Sequence, residues 1–298
     1  MSTKIEWTEK TWNPVSGCTK ISDGCKNCYA ETMANRLKEM GTKGYENGFA
    51  VTLHPERLGE PLKIKKPSMF FVCSMGDLFH EDVPLEFIDS VWAVMAQTPQ
   101  HTYQILTKRP DRMEEYLRLQ KFSPNSIGIA MARIAGGAKI KDFSQPLPNV
   151  WLGVTAENQE QANKRIPILL DTPAAVRFVS IEPMIGAINL TKLEKDMSDG
   201  TRYGYKMNGL TGIGYEYMPD SSHEWKWAKL DWVIVGGETG AGARPLRYQW
   251  AKDIQAQCET ANTPFFFKKW GKLGQIDKTL IDGYIDGVEC RAMPEVNQ

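Results

Sequence analysis

Short apolar runs recur along the chain, and several have no polar residue at alternate positions. Strands that are buried on both faces of a parallel sheet show this pattern. A weaker strand is predicted at Thr11–Trp12. The stronger predicted strands are Phe49–Leu53, Met69–Cys73, Tyr103–Leu106, Val150–Val154, Arg177–Ile181, Trp232–Val235 and Pro264–Phe267.

Between these runs, apolar residues recur at helical spacing, as at Tyr29, Met33, Leu37 and Met40. Further helices are predicted around Leu85–Met95, Pro110–Leu117 and Trp250–Cys258. Strand–helix alternation indicates an α/β fold with parallel strands and crossover helices. Seven or eight such units predict a (β/α) barrel, full or partial and TIM-like, with a doubly wound open sheet as the alternative.

Two stretches interrupt this alternation. Residues 121–149 are rich in Gly, Ala and Ser, and residues 191–230 place tyrosines and tryptophans among glycines and charged residues. We interpret both as insertions, the second as an irregular or hairpin segment that covers a site. The tail from about residue 271 shows no firm pattern. The chain is therefore predicted to be a single domain over residues 1–298.

Composition narrows the function classes. Lys and Arg together number 36, as do Asp and Glu, so net charge gives no long-range attraction to nucleic acid or anionic membrane. No apolar run is long enough for a membrane span, and the first residues lack the apolar stretch of a signal peptide. We therefore expect a cytoplasmic protein without a membrane partner, whose cysteines stay reduced.

Of the six cysteines, Cys18, Cys25 and Cys28 form a C-x6-C-x2-C motif, here called the cysteine loop (residues 17–28). Clustered thiols in a reducing compartment indicate a metal site. Glycines 17 and 24 allow the tight backbone that would bring Cys18 back to the other two. A helix predicted to begin at Tyr29 would favour the negative charge of thiolates.

The count of three ligands favours an iron–sulfur cluster over zinc. Structural zinc normally has four protein ligands, and no fourth Cys or His lies nearby in the sequence. Four-iron clusters are usually held by four cysteines, so three would leave one iron open to a small molecule. A zinc loop, or buried thiols without metal, remain as alternatives.

Polar residues follow each predicted strand, where the carboxyl ends of barrel strands meet. Mixed acids and bases there would suit a zwitterionic ligand. The alternative is that these residues cap helices or form turns. Basic residues Lys108, Arg109, Arg244, Lys268 and Lys269 indicate an anionic substrate. The cofactor-binding candidates after the strands are Ser74, Asp77, Lys108, Glu157, Glu182, Glu238 and Lys268.

The cysteine loop resembles that of the radical S-adenosylmethionine superfamily, although the usual spacing there is C-x3-C-x2-C. The resemblance implies a [4Fe-4S] cluster on Cys18, Cys25 and Cys28, S-adenosyl-L-methionine on the open iron, and an aromatic contact to adenine from Tyr29. The chain also resembles a phage and prophage family of unassigned function that is regarded as radical-SAM-like. The matching segments are TWNPVSGCTKISDGCKNCYA, SMGDLFH, LTKRP, WLGVTAEN, SIEPM, GGETGAGARP and FFFKKWG.

These observations favour an enzyme that generates a 5′-deoxyadenosyl radical and abstracts hydrogen from an anionic or nucleotide-like substrate. Its expected partners are that small molecule, a one-electron donor and, given the phage resemblance, a nucleic acid. One alternative is a non-catalytic zinc protein with a nucleic-acid or protein partner. Another is a metal-free barrel hydrolase that uses Glu157, Glu182 or Glu238 as acid and base.

Overall fold

The computed structural model describes residues 3–122, 127, 130, 146–196, 204–218 and 221–295. Most of the predicted insertion at 121–149 lies outside these residues. The strands are β1 (Lys10–Trp12), β2 (Val15–Ser16), β3 (Thr52–Leu53), β4 (Met69–Val72), β5 (Thr102–Thr107), β6 (Val150–Thr155), β7 (Val176–Ile181), β8 (Leu193–Asp196), β9 (Gly204–Met207), β10 (Ile213–Met218), β11 (Ser221–Lys226), β12 (Trp232–Gly236), β13 (Phe265–Lys269), β14 (Tyr284–Ile285) and β15 (Val288–Glu289).

Helices alternate with the longer strands. Among the described residues, none of them is both long and apolar enough to cross a membrane. The helices are α1 (Tyr29–Glu39), α2 (Leu85–Gln97), α3 (Pro110–Phe122), α4 (Gln159–Asp171), α5 (Tyr248–Ala261) and α6 (Lys272–Ile276), with 3-10 turns at Asp23–Cys25, Pro55–Arg57 and Pro61–Lys63.

The central sheet has seven strands in the order β1-β4-β5-β6-β7-β12-β13. Each strand lies next to the one that precedes it in the chain, with only strands of the smaller sheets skipped. A doubly wound sheet would reverse direction part-way, whereas the strands of a (β/α) barrel follow in sequence. The α/β prediction of parallel strands with crossover helices is confirmed, and the strand order is that of the partial barrel.

The chain divides into two compact units. The first comprises residues 1–152 and 173–175, and the second comprises residues 153–172 and 176–298. In the first unit, β4 pairs in parallel with β1 and with β5. The core around these strands is aromatic: the ring of Tyr103 stacks on Phe70 with centroids 5.5 Å apart and lies 5.7 Å from Trp12. Helix α2 adds Ile88, Trp92 and Met95, at the predicted spacing.

In the second unit, β12 pairs in parallel with β7 and with β13. Every residue of β12 is buried, as its uninterrupted apolar run predicts. Trp232 of β12 lies between Phe178 and Phe266, with ring centroids 5.8 and 6.0 Å away. Helix α5 buries Ala251, Ile254 and Cys258 along one face.

Strands β8 to β11 form a separate four-stranded antiparallel sheet in the order β11-β10-β9-β8. They occupy the segment predicted as an irregular or hairpin insertion, residues 191–230. Parts of that segment lie outside the described residues. Exposed aromatic side chains, Tyr215 and Trp225, mark two of its strands. The role of this sheet as a cover for a site stays a prediction.

One prediction of local structure is wrong. The run Phe49–Leu53 does not join the central sheet, since only Thr52–Leu53 is extended and it pairs antiparallel with β2. Phe49 instead packs on a cluster of Ala34, Tyr45 and Met75, so its apolar character serves helix packing. The tail from residue 271, whose sequence shows no firm pattern, forms α6 and the hairpin β14–β15 within its described residues 271–295. The amide of Phe267 donates to the carbonyl of Cys290 in this tail.

Candidate metal centre at the cysteine loop

The cysteine loop lies between β2 and α1 in the first unit, and all three of its thiols are partly exposed. Cys25 ends a 3-10 turn, and Cys28 is the extended residue directly before α1. The helix begins at Tyr29, as predicted. Its first turn is held by Thr32, whose amide and hydroxyl both donate to the carbonyl of Cys28.

Backbone contacts fix where the loop begins. The amide of Gly17 donates to the carbonyl of Met75 at 2.8 Å, and that of Cys18 donates to Phe49 at 3.1 Å. Gly17 has φ of 84°, and a Cβ there would collide with the backbone of Ala50. Glycine is required because the left-handed conformation and the close approach both exclude a side chain. Cys18 is therefore held beside the segment that follows β4.

Arg109, just after β5, connects the loop to the strand ends. It is 9% exposed. Its Nη1 donates to the sulfur of Cys18 at 3.3 Å, and its Nη2 donates to the hydroxyl of Thr19 at 2.7 Å and to the Thr19 carbonyl at 3.4 Å. Its Nε donates to Glu81 at 2.7 Å, and Nη1 also donates to Asp77 at 3.3 Å.

Asp77 anchors this arrangement. Its Oδ1 accepts from the hydroxyl of Thr107 at 2.7 Å and from the amide of Phe79 at 3.0 Å. Its Oδ2 accepts from the amide of Lys108 at 3.1 Å in addition to Arg109. The predicted cofactor residue Asp77 thus ties the segments after β4 and β5 together. A buried carboxylate with four donors is satisfied within the protein.

His80 supports Thr19 from the other side. Its Nδ1 accepts from the amide of Asp82 at 3.1 Å, which leaves the proton on Nε2, 2.9 Å from the Thr19 hydroxyl. Burial, followed by the positive charge of Arg109, lowers the pKa of His80, so the neutral ring is favoured. Thr19 then accepts from both His80 and Arg109 and donates to Glu81 at 3.4 Å.

Two of the thiols differ in their electrostatics. Burial and the charge of Asp77 raise the pKa of Cys18 to about 11, although Arg109 acts against them. Burial also acts to raise the pKa of Cys25, but Lys108 and the backbone and side-chain hydrogen bonds of Ile21 and Ser22 outweigh it and lower that pKa. Since metal binding needs thiolates, the positive charges of Arg109 at Cys18 and of Lys108 at Cys25 act in favour of metal binding.

The three thiols suit iron on chemical grounds, because soft thiolates are the usual ligands of iron–sulfur clusters. Arg109 and Lys108 offset part of the negative charge that such a centre brings. In the part of the chain that the structure describes, no three Cys, His, Asp or Glu side chains converge at metal-ligand spacing. The donor set lies on one loop, in partly exposed positions, rather than as a closed cage.

Three further predicted residues, Ser74, Tyr29 and Lys108, lie near this loop in sequence or structure. The hydroxyl of Ser74 donates to Oδ1 of Asn13 at 3.1 Å, so it helps to shape the turn after β4. Tyr29 is 67% exposed and free of the core. Lys108 is half-buried at the end of β5, close enough to Cys25 for its charge to act on that thiol.

The candidates of the second unit form acid–base pairs. Glu157 is fully buried and accepts from Arg165 at 2.9 Å, while Arg165 also donates to the carbonyl of Thr155. Glu238 accepts from the amide and the guanidinium of Arg244, at distances of 2.8 to 3.0 Å.

In the third pair, the carboxylate itself is partly exposed. Lys268 donates to both oxygens of Glu182, at 2.7 and 3.0 Å, and both side chains remain partly exposed. The amine of Lys269 lies 3.7 Å from the same carboxylate. The cofactor roles proposed for Glu157, Glu182, Glu238 and Lys268 stay predictions.

The sequence profile described as "Protein of unknown function (DUF5131)" matches residues 2–294. The chain belongs to the DUF5131 family. No curated protein matches it. Among solved structures, it is similar to a cysteine-to-serine mutant of spore photoproduct lyase, with a TM-score of 0.36 and 11% identity, over 88% of this chain and 75% of that chain.

In this DUF5131 protein, sequence reasoning missed the residues that hold the loop in place. Thr19, Glu81 and Asn13 gave no signal of their own, because their partners are far away in the chain. His54 is buried as well, with its Nε2 2.8 Å from the hydroxyl of Ser16. Asp77 and His80, which also support the loop, both lie in the segment SMGDLFH, and this segment was the sequence signal from which they could have been found.

Proposed function

We propose that this protein is a radical-SAM-like iron–sulfur enzyme. The observation that carries the proposal is a single partly exposed loop with three cysteines, beside two cations at the end of one β-strand. Cys18, Cys25 and Cys28 would hold a [4Fe-4S] cluster. With three protein ligands, one iron would stay open for the amino and carboxylate groups of S-adenosyl-L-methionine.

The reduced cluster would supply one electron, so that S-adenosylmethionine yields methionine and a 5′-deoxyadenosyl radical. That radical would take a hydrogen atom from the substrate, giving 5′-deoxyadenosine and a substrate radical. The electron needs an external one-electron donor, and the reducing cytoplasm would be a suitable compartment. The protein itself would bind, orient and shield the reactants.

Individual residues would divide these tasks. The exposed ring of Tyr29, next to Cys28, is available to contact adenine. Lys108 would offset the charge of the thiolates. In the second unit, Glu182 is the most exposed carboxylate of the three acid–base pairs, so Glu182 and Lys268 are available to a zwitterionic or anionic ligand. The amine of Lys268 would equally suit the phosphate groups of a nucleotide-like substrate or of a nucleic acid.

Anaerobic reconstitution tests the proposal. The protein is purified without oxygen and incubated with iron and sulfide, and then iron, sulfide and the visible spectrum are measured. Dithionite and S-adenosylmethionine are added, and 5′-deoxyadenosine is quantified. We expect a brown protein with about four iron atoms per chain, the content of one cluster, and release of 5′-deoxyadenosine above a control without protein.

Cysteine variants assign the ligands. Cys18→Ala, Cys25→Ala and Cys28→Ala should each lose most of the iron and all 5′-deoxyadenosine formation. The matched control is Cys258→Ala, which removes a buried thiol of α5 and should keep both. A colourless protein that binds one zinc per chain would instead establish the zinc alternative. Hydrolytic activity that survives the loss of all three cysteines would favour the metal-free hydrolase.

A further inference from the structure

We infer that Arg109 is a positioning residue for the cysteine loop, and that its positive charge on the Cys18 sulfur raises the reduction potential of the cluster. The second half of this inference rests on the proposed function, whereas the first concerns the protein alone. Sequence reasoning grouped Arg109 with residues that bind an anionic substrate. The contacts of its guanidinium point to a different task.

All five N–H groups of the guanidinium have acceptors inside the protein. Nε donates to Glu81, Nη1 donates to Asp77 and to Cys18, and Nη2 donates twice to Thr19. None of the five is left to bind a substrate. A planar fork that serves acceptors in several directions fixes their relative positions, which a lysine with one amine cannot do.

The acceptors of Arg109 fall into two groups: a fixed side, which is bound to the sheet, and a held side, which lies in the cysteine loop. On the fixed side, Asp77 is bound by Thr107 and by backbone amides after β4 and β5, so the guanidinium is anchored to the ends of two sheet strands. On the held side are Cys18 and Thr19, and Thr19 is exposed. Arg109 therefore restricts the movement of Cys18, the first cysteine of the loop, relative to the sheet.

The charge has its own consequence. A donor and a full positive charge 3.3 Å from the Cys18 sulfur stabilise negative charge on that sulfur. Reduction adds an electron to a cluster that such a sulfur holds, and hydrogen bonds to cluster sulfurs are among the factors that set its potential. Loss of Arg109 should therefore make the cluster harder to reduce.

Three variants separate position from charge. Arg109→Met removes both the fork and the charge, and Arg109→Lys keeps the charge but not the fork. Arg112→Met is the matched control, because Arg112 donates to the Val83 carbonyl instead of to the loop. Hydrogen exchange of peptides from residues 16–27 is measured on the metal-free protein, and the midpoint potential is measured on the reconstituted protein.

We expect faster exchange of the loop in Arg109→Met and Arg109→Lys. The midpoint potential should shift to more negative values in Arg109→Met and stay close to that of the unaltered protein in Arg109→Lys. Arg112→Met should change neither. Unchanged exchange in Arg109→Met overturns the inference, and so does an unchanged midpoint potential at equal cluster content.

A milder variant covers the case in which Arg109→Met does not fold, since it leaves Asp77 buried without its cation. Thr19→Ala removes an exposed acceptor of Arg109, and water can take its place. We expect faster exchange confined to the loop, and unchanged exchange there overturns the positioning role. If the unaltered protein binds no cluster, the proposed function fails, while exchange in the metal-free protein still decides whether Arg109 positions the loop.

Discussion

Charged residues follow the strands in both units, but they are used differently. In the first unit, one cation, Arg109, serves Cys18, Thr19, Asp77 and Glu81 together. In the second unit, carboxylates pair with nearby bases, as in Glu157 with Arg165 and Glu238 with Arg244. A shared cation holds several segments around a loop that carries thiols, whereas a closed pair stabilises one place in the fold. The position of a polar residue after a strand does not distinguish the two uses.

The largest effect is expected for Glu157→Ala. The change leaves Arg165 buried and unpaired, which should cost about 3–5 kcal/mol of unfolding free energy. Denaturant unfolding measures it. The double variant Glu157→Ala with Arg165→Met should recover much of the loss, because both buried charges are gone. A loss below about 1 kcal/mol would mean that the pair is not the closed structural unit described here.

A smaller effect is expected for Glu238→Gln. The amide cannot accept the bidentate contact of Arg244 as a carboxylate does, and partial exposure of Arg244 reduces the loss to about 1–2 kcal/mol. Binding of S-adenosylmethionine is measured by calorimetry on the same variant. If Glu238 serves only to bind Arg244, the free energy of unfolding falls and the affinity for S-adenosylmethionine changes little. A large loss of affinity at unchanged stability would instead make Glu238 a ligand residue and break the comparison.

The sequence predicts most of the central strands, because a run such as Trp232–Val235 has the uninterrupted apolar pattern typical of a fully buried strand. It did not predict α4, whose first half is polar and whose apolar second half contains Pro167. It could not predict the contacts of Arg109, since Cys18 and Asp77 are 91 and 32 residues away in the chain. The motif locates the thiols, while their support comes from tertiary folding.

Asn158→Ala tests how far the second unit depends on local contacts. Asn158 is the N-cap of α4, and its Oδ1 accepts from the amide of Gln161 at 3.0 Å. Loss of this cap should cost about 1 kcal/mol of unfolding free energy. Asn158→Asp keeps the acceptor and should stay near the unaltered protein. An equal loss in both variants would show that Asn158 acts through something other than capping.

The smallest effect is a pH dependence at Glu81. A backbone hydrogen bond and the Arg109 contact lower the pKa of Glu81 to about 2. Because the folded pKa lies below the unfolded value, the carboxylate stabilises the fold above about pH 4.5, and this contribution is lost as the pH falls towards 2. Solvent screening of the exposed side chain keeps it below about 1 kcal/mol.

Unfolding of the unaltered protein and of Glu81→Gln, compared across pH 2 to 6 in the metal-free form, checks this prediction. The difference in stability should be greatest near pH 6 and vanish near pH 2. A difference that does not vary with pH would show that Glu81 contributes little through its charge, and would reduce the shared network to Asp77 and Thr19.

The contacts described above for Cys18 and Thr19 in the cysteine loop come from residues between Asn13 and Arg109, of 298 in the chain. A ribosome therefore completes the residues that make these contacts while nearly two thirds of the protein is still untranslated. Since N-terminal regions can fold during synthesis, the thiols can be ordered on the nascent chain. The proposed metal centre would then have its ligands in place before the acid–base pairs of the second unit have been synthesised.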